Sequence, residues 1–169
     1  MAQDAPSHRV PRGAVTEPLS NVIDPEAFTP RLVALLSNAL VWRESHLLRR
    51  ETGLGTNDWR VISALSTRPG STSLELADFL NMNKALISKS VTVLRDRDLI
   101  VYSDGARGSK HLYLTRAGVE MHDRMRPISA RGHDIIVEGM TAEEVATLNA
   151  TLTRMLTLLQ TSTGTVTHD

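Results

Sequence analysis

The amino-acid sequence predicts a mainly α-helical fold with one small β-hairpin, and three observations support this fold class. Apolar residues recur at helical spacing through most of residues 31–160. Two runs rich in β-branched and aromatic residues, 99–102 and 110–114, flank a glycine-containing turn and predict the hairpin. Two short helical patterns directly precede the hairpin, and cations lie on the second of them and at the hairpin tip.

The composition limits the class of protein. The chain of 169 residues is long enough for one domain with a core, and its 41% apolar residues and formal net charge of zero are ordinary values. No run approaches the roughly 18 apolar residues of a membrane span, and the N-terminus lacks the apolar core of a secretory signal. The absence of cysteine excludes disulfides, Cys-based zinc sites and thiol switches. We therefore expect a cytoplasmic protein.

The first helix follows a segment without sustained periodicity. Residues 1–26 contain several Pro and Gly and predict a flexible arm. Residues 31–50 predict the helix, with Pro30 at its start and Gly53 after its end. Its apolar positions follow the 3.6-residue period: Leu32, Leu35, Leu36, Ala39, Leu40 and Leu47.

The second and third helices are short. A cluster of N-capping residues at 56–58 predicts the start of the second helix, whose largely apolar sequence indicates a central helix of the core. The third helix begins with a capping box, in which Thr72 is followed three residues later by Glu75. Its predicted buried residues are Leu74, Leu76, Ala77 and Leu80.

The fourth predicted helix, which follows the N-cap Asn83, has two distinct faces. Ile87, Val91 and Leu94 are spaced to face the core. The opposite face combines small, hydroxyl and cationic side chains without a carboxylate: Lys84, Ala85, Ser88, Lys89 and Thr92. Such side chains permit close approach to DNA and bind its bases and phosphates, whereas an ordinary exposed face usually includes acids. We therefore predict a DNA-reading helix; the alternative is a plain exposed face.

The hairpin has a basic tip. Asp104 and Gly105 form a turn signal, Arg107 follows at the tip, and Lys110 lies on the returning strand. Residues 81–111 contain six Lys or Arg and three Asp, a local charge of +3 in a neutral chain. A basic hairpin next to a cationic helix is suited to grip the minor groove or flanking phosphates, although a solubilising loop is the alternative. Residues 72–115 thus predict a winged helix-turn-helix.

Two further helices complete the chain. Residues 115–139 predict a long fifth helix, in which Pro127 should produce a kink or short break. Thr141 and Glu144 form a second capping box that starts the last helix. That helix carries a continuous apolar stripe: Val145, Leu148, Leu152, Met155, Leu156 and Leu159. The first and last helices are therefore predicted to pack together and against a second copy, and a homodimer would present two reading helices to a palindromic operator.

Three local strings carry a family resemblance: WRV at 59–61, LELADFLNMNKALISKSVTVLRDRDLI at 74–100 and LTRAG at 114–118. Together with the order of elements, they resemble the MarR family of bacterial transcriptional regulators. The resemblance covers residues 31–160 and implies a homodimer with helices 1–4, a two-stranded wing and helices 5 and 6, usually a repressor that a small ligand releases. The wing departs from the family pattern, because 104–108 reads DGARG and holds a single arginine.

The implied organisation is a single MarR-like domain at 27–160, followed by a polar tail at 161–169. Within the domain, we expect dimerisation helices at about 30–52 and 115–160 and the winged helix-turn-helix at about 56–114.

The resemblance also implies an effector class. Relatives with a Trp-Arg pair in the second helix often respond to aromatic acids or phenolic compounds, which they bind between the first, second and fifth helices. The candidate ligand-binding residues here are Ser37, Trp42, Arg43, His46, Trp59 and Arg60. Indoles offer stacking faces, and Arg or His forms charge-assisted hydrogen bonds with a carboxylate. The alternative is that Trp59 is a core residue and Arg60 pairs with an acid across the dimer.

Two other interpretations remain open. A metal-responsive regulator of the same fold would use His122, Asp123 and His133, although their spacing matches no strong motif. A winged helix that only contacts proteins is the second. The sequence lacks HExxH, a phosphate-binding Gly loop, a nucleophile elbow and a Cys nucleophile, so we expect neither an enzyme nor a cofactor.

Overall fold

A computed structural model of the chain describes residues 9–163. It contains six α-helices and one antiparallel hairpin, which confirms the predicted fold class. In chain order these are α1 Thr29–Thr52, α2 Thr56–Thr67, α3 Ser73–Leu80, α4 Lys84–Asp96, β1 Ile100–Asp104, β2 Lys110–Leu114, α5 Arg116–Ile136 and α6 Ala142–Thr163. A single 3-10 turn, Ala106–Gly108, joins the two strands.

The chain forms two compact units, Met1–Ser37 and Asn38–Asp169, and α1 runs through the boundary between them. The described residues of the first unit, 9–37, are all exposed. Before α1 they form no helix or strand, and Arg31 donates from Nη1 to the Pro25 carbonyl at 3.0 Å. The flexibility predicted for residues 1–26 stays a prediction, and residues 1–8 lie outside the described part.

The core of the second unit is built around α2, as its apolar sequence predicts. Six residues of this short helix are buried: Thr56, Trp59, Val61, Ile62, Ala64 and Leu65. Leu48 at the end of α1, Leu54 in the following connection and Met125 of α5 are buried in the same cluster. The prediction for Leu74 is wrong, because this side chain is 51% exposed. Residues two apart on a helix lie on nearly opposite sides, so Leu74 cannot share the buried side of Leu76.

The two capping boxes form as predicted. At α3, Thr72 N–H donates to Glu75 Oε2 at 2.7 Å, and Glu75 N–H donates to Thr72 Oγ1 at 3.3 Å. At α6, Thr141 N–H donates to Glu144 Oε2 at 2.7 Å and the reciprocal bond is 3.2 Å. The start of α2 differs from the prediction. Gly55 is its N-cap, so the predicted capping cluster at 56–58 forms the first helical turn instead.

The fifth helix is continuous, because α5 runs from Arg116 to Ile136 with Pro127 inside it. The predicted short break is therefore absent, and the predicted kink stays a prediction. Pro127 and Asp123, whose carbonyl loses its helical donor, are both exposed. Solvent can satisfy a carbonyl group on this side of a helix, so the chain continues through the proline.

The string LTRAG at 114–118 forms the junction between the wing and α5. Thr115 is the N-cap of α5: its Oγ1 accepts from Gly118 N–H at 2.9 Å and donates to the Asp98 carbonyl at 2.7 Å. Thr115 N–H donates to the Leu99 carbonyl at 3.0 Å. The junction therefore ties the start of α5 to the segment between α4 and β1.

The last helix exposes its apolar stripe. No described side chain of α6 is buried, and its exposed apolar residues include Leu148, Leu152, Met155, Leu156 and Leu158. An exposed apolar stripe of this length is typical of an interaction surface. None of the helices within residues 9–163 combines the length and apolarity needed to cross a membrane.

Candidate nucleic-acid interface and effector region

The sequence of α4 places its polar residues on one exposed face. Asn83 caps the helix, with its Oδ1 accepting from Ala85 N–H at 2.8 Å. Ile87, Ser90 and Leu94 are buried against the core. The five predicted DNA-reading residues are all exposed on the opposite side: Lys84, Ala85, Ser88, Lys89 and Thr92. The structure thus brings these residues together as one surface.

The cations of this surface are available to a ligand. Among the described residues, Lys84 and Lys89 have no carboxylate partner. Thr92 Oγ1 donates to the Ser88 carbonyl at 3.0 Å, which leaves its lone pairs free to accept. The surface therefore presents two unpaired ammonium groups and two hydroxyls without a neighbouring acid, an arrangement suited to phosphate groups.

The wing is a five-residue ladder on each side, with Ile100 opposite Leu114 and Asp104 opposite Lys110. Gly105 N–H donates to the Ser109 carbonyl at 2.7 Å and closes the tip. A Cβ at Gly105 would overlap the side chains of Ser109 and His111, so a larger residue there would require these side chains to move.

The predicted wing cation Lys110 has a partner within the hairpin. Its Nζ donates to Asp104 Oδ1 at 2.9 Å and lies 4.8 Å from the centre of the Tyr102 ring. The hydrogen bond to Asp104 raises the pKa of Lys110. A phosphate would have to compete with Asp104 for this ammonium group. Arg107 lies in the 3-10 turn at the tip, and its side chain is outside the described part of the structure.

The wing is fixed to the segment between α2 and α3. His111 Nδ1 donates to the Gly70 carbonyl at 2.8 Å, since a carbonyl oxygen can only accept. Gly70 N–H donates to the Leu112 carbonyl at 2.8 Å, and Leu112 N–H donates to the Ser71 carbonyl at 3.0 Å. Sequence inspection missed His111 and Gly70, because they are 41 positions apart and form no local motif.

None of the cavities described in residues 9–163 is lined by all six predicted ligand-binding residues. Trp59 is 7% exposed and belongs to the core, where its ring lies 5.4 Å from that of His122. By contrast, Trp42 is 75% exposed and stacks on His46 at 6.1 Å. The alternative interpretation of Trp59 as a core residue therefore fits its position.

The remaining members differ in exposure and position. Arg43 and Arg60 are half-buried, and Ser37 is exposed in the first unit. Trp42 and His46 line an open cavity of about 480 Å³, whose wall includes neither Trp59 nor Arg60.

A second cavity was not predicted from the sequence. It has a volume of about 540 Å³ and lies between the last turns of α1, the first turn of α2 and α4. Its wall includes Lys89 of the exposed α4 face together with Arg49, Thr56 and Arg97. No local signal identifies this cavity, because its residues come from three separate helices, the connection between α1 and α2, and Arg97 after the end of α4.

The candidate metal ligands do not converge. His122 Nδ1 lies 3.0 Å from Asp123 Oδ1, but His133 follows eleven residues later on the continuous α5. At the helical rise this separation is roughly 16 Å. Within residues 9–163, no group of three His, Cys, Asp or Glu side chains is placed to hold a metal ion.

The fold and the exposed α4 surface define the class of protein. A short helix, a turn and a second helix with a cationic, acid-free face, followed by a two-stranded wing, form a winged helix-turn-helix of the DNA-binding type. The model of the MarR family matches residues 52–108, from the end of α1 to the wing tip, which is about a third of the chain. This match supports the predicted MarR-family assignment of the winged helix, and members of that family are transcription regulators, not enzymes.

Solved structures support the same fold. A MarR-family transcriptional regulator from Silicibacter pomeroyi is 24% identical with a TM-score of 0.73, over 86% of this chain and 95% of that one. PcaV from Streptomyces coelicolor, in complex with its natural ligand, is 20% identical with a TM-score of 0.68, over 80% and 96%. MepR of S. aureus, in complex with DNA, is 20% identical with a TM-score of 0.71, over 80% and 99%. No curated protein matches the chain by sequence.

Proposed function

We propose that this protein is a homodimeric transcriptional repressor, which binds a palindromic operator and is released from it by a small aromatic acid or phenolic compound. The observation that carries the proposal is the α4 surface, where the cations Lys84 and Lys89 lie beside hydroxyls and no acid. Its contacts are assigned as Lys84, Ala85, Ser88, Lys89 and Thr92 on α4, with Arg107 and Lys110 on the wing. The complex of MepR with DNA supports DNA as the partner of this fold.

Dimerisation is proposed through α6. Its stripe is exposed in the single chain, with Leu156 55% exposed, and a second copy would cover it. A closed two-fold dimer also supplies the second reading helix that a palindromic operator requires.

The mass in solution tests the dimer. We expect sedimentation to give twice the mass of one chain, and Leu152→Glu to give the monomer because it buries a charge in the interface. Thr157→Glu is the matched control, since Thr157 lies on the opposite side of α6. A monomeric parent protein, or equal masses for both variants, would remove the dimer from the proposal.

The effector class is supported by exposed groups on α1. Trp42 offers an open indole face next to the His46 ring, which suits an aromatic ring with a carboxylate. Arg43, Ser37 and Arg60 remain candidate contacts. We assign Trp59 a supporting role, because it is buried in the core. The complex of PcaV with its natural ligand supports a small-molecule effector for this fold.

The central experiment measures DNA binding. The full chain is titrated into fluorescent duplex DNA taken from upstream of its own gene, at several salt concentrations, with a scrambled duplex as control. We expect specific binding to the operator duplex. The logarithm of the binding constant should fall steeply with the logarithm of the salt concentration, because the protein contacts several phosphates. Addition of benzoates, hydroxycinnamates and indole acids should weaken it. DNA binding without salt dependence would favour a protein-interaction module. If no acid changes the affinity for DNA, the proposed effector class is wrong.

A further inference from the structure

A histidine of the wing makes contacts in two directions. His111 of β2 donates from Nδ1 to the Gly70 carbonyl at 2.8 Å, which ties the hairpin to the connection between α2 and α3. Its other ring nitrogen, Nε2, lies 3.4 Å from Ser109 Oγ, directly after the 3-10 turn at the tip. The imidazole therefore links the body of the winged helix to the turn that contains Arg107.

The number of hydrogen bonds at this point depends on the charge of His111. The Gly70 carbonyl only accepts, so Nδ1 carries a proton whether the ring is neutral or charged. Ser109 has one hydroxyl proton, which it donates to the Ala106 carbonyl at 3.0 Å. In the neutral ring, Nε2 carries no proton and competes with that carbonyl for the hydroxyl proton. In the imidazolium, Nε2 donates to Ser109 Oγ, and the bonds to Gly70, Ser109 and Ala106 form together.

Ser109 also closes the wing tip through its backbone. Its carbonyl accepts from Gly105 N–H at 2.7 Å, and its N–H donates to the Ala106 carbonyl at 3.2 Å. The imidazole packs directly against this turn, because a Cβ at Gly105 would overlap His111 Nε2. A hydrogen bond from the ring to Ser109 Oγ therefore restrains the whole tip.

A carboxylate on α3 favours the charged ring. The pKa of Glu75 is lowered from 4.5 mainly by the hydrogen bond from Thr72 N–H, and the charge of His111 lowers it further. Glu75 is therefore ionised throughout the range between about pH 5 and pH 8, in which histidine side chains change their charge. Its negative charge stabilises the imidazolium form of His111.

The other charged groups around the wing anchor keep their charge in the same range. On the hairpin, Lys110 Nζ donates to Asp104 Oδ1 at 2.9 Å, and this bond raises the pKa of Lys110. At the end of α2, the guanidinium of Arg68 lies 4.0 Å from the centre of the Phe79 ring and is always charged. Among these groups, histidine alone is of a type that titrates between about pH 5 and pH 8.

We propose that His111 is a positioning residue for the wing and that its protonation fixes the tip for contact with DNA. The charged ring forms one hydrogen bond more in the anchored wing than the neutral ring does. A proton therefore favours the anchored wing, and DNA that binds the anchored wing binds more tightly when the proton is present. The affinity for the operator should rise as the pH falls from about 8 to about 5.5. This effect on DNA rests on the proposed function, whereas the anchor does not.

Fluorescence anisotropy of the full chain with operator duplex tests the pH dependence, at constant ionic strength and at about pH 5.5 and pH 8. We expect the parent protein to bind several-fold more tightly at the lower pH, up to about tenfold, which is the contribution of one hydrogen bond from a charged group. His111→Gln keeps an amide that can donate to the Gly70 carbonyl but does not titrate, so its affinity should change much less.

His133→Gln is the matched control for the remaining histidines. His133 is exposed on α5, outside the wing, so this variant should keep the pH dependence of the parent protein. Equal pH dependence in the parent protein and in His111→Gln would overturn the role of His111.

Ser109→Ala separates positioning from a simple effect of charge. This variant removes the acceptor for Nε2–H and leaves the charge of the imidazolium in place. Positioning predicts that Ser109→Ala loses most of the pH dependence, as His111→Gln does. If the added charge merely attracted phosphates, Ser109→Ala would keep the full dependence, and the positioning role would be wrong.

Hydrogen exchange in the free protein tests the anchor without DNA. Protection factors, which correct for the intrinsic effect of pH on exchange, should rise at Gly105 N–H as the pH falls and stay level in His111→Gln. If they rise while no duplex is bound, the proposed function fails and the anchor stands. If they do not change in the parent protein, protonation does not fix the tip, even where DNA binds.

Discussion

Replacement of Gly118 by alanine should loosen the junction between the wing and α5. A Cβ at this position would overlap the Leu99 carbonyl oxygen, and it would lie 3.1 Å from the carbonyl carbon and 3.4 Å from Leu114 Cβ. The same carbonyl accepts from Thr115 N–H at 3.0 Å, and Gly118 N–H donates to Thr115 Oγ1 at 2.9 Å. Backbone must therefore move, and the hydrogen bonds that hold the junction oppose the movement.

The magnitude is a balance of three contributions. Alanine favours an α-helix over glycine by about 1 kcal/mol. Overpacking against backbone costs about 1–3 kcal/mol, and weakening of the hydrogen bond between Thr115 and Leu99 costs about 1 kcal/mol more. We expect the free energy of unfolding to fall by about 2 kcal/mol, or Tm by about 4–8 °C for a chain of this size.

Urea unfolding followed by circular dichroism measures the change, and Gly132→Ala is the matched control. Gly132 lies in the same helix, but a Cβ there would meet only Leu40 Cδ2 at 3.6 Å, an ordinary contact. Gly132→Ala should therefore gain up to about 1 kcal/mol from helix propensity alone. Equal stability of the two variants would show that the backbone at Leu99 yields freely and would refute the reasoning.

Three further predictions concern DNA binding and pH. Lys89→Gln should weaken operator binding several-fold at moderate salt without changing the dimer mass in sedimentation; unchanged affinity would exclude Lys89 from the interface. Arg107→Gln should lower affinity similarly for different sequences and reduce the slope of log K against log salt by about 1, so an unchanged slope would contradict a phosphate contact. The pKa values of Glu75 and Glu144 are lowered mainly by hydrogen bonds from backbone N–H groups. The two ionised carboxylates therefore stabilise the folded state at neutral pH, and this stabilisation is lost as the pH falls below 4.5. In the double variant Glu75→Gln, Glu144→Gln, the free energy of unfolding should change less with pH in acid than in the parent protein. Superimposable curves of unfolding free energy against pH would refute this.

Local sequence predicted those features that depend on neighbouring residues. A capping box needs only residues three apart, so the sequence predicts the pair of Thr72 and Glu75 that the structure contains. The two faces of α4 likewise follow from helical spacing, which set Ile87 inside and Lys89 outside. The prediction for Leu74 failed because it followed apolar character and not helical spacing. Leu74 lies two residues from the buried Leu76 and so on nearly the opposite side of α3.

The effector region shows the limit of local patterns most clearly. Trp42 and Trp59 look equivalent in the sequence, as indoles next to arginine in consecutive helices. In the structure one is 75% exposed and the other 7% exposed. Burial depends on which helices pack against each side chain, and spacing within one helix does not specify that packing.

The sequence alone determined the order of elements, the winged helix-turn-helix and the acid-free face of α4, because these arise from periodicity, capping and turn residues along a short stretch of chain. Only the tertiary structure decided that the carbonyl of Gly70 anchors the wing through His111, that Lys110 is paired with Asp104, and that a cavity lined by three cations lies between α1, α2 and α4. The anchor and the cavity depend on atoms brought together from distant parts of the chain, and the ion pair on the register of two strands. Their geometry is set by packing and not by residue spacing.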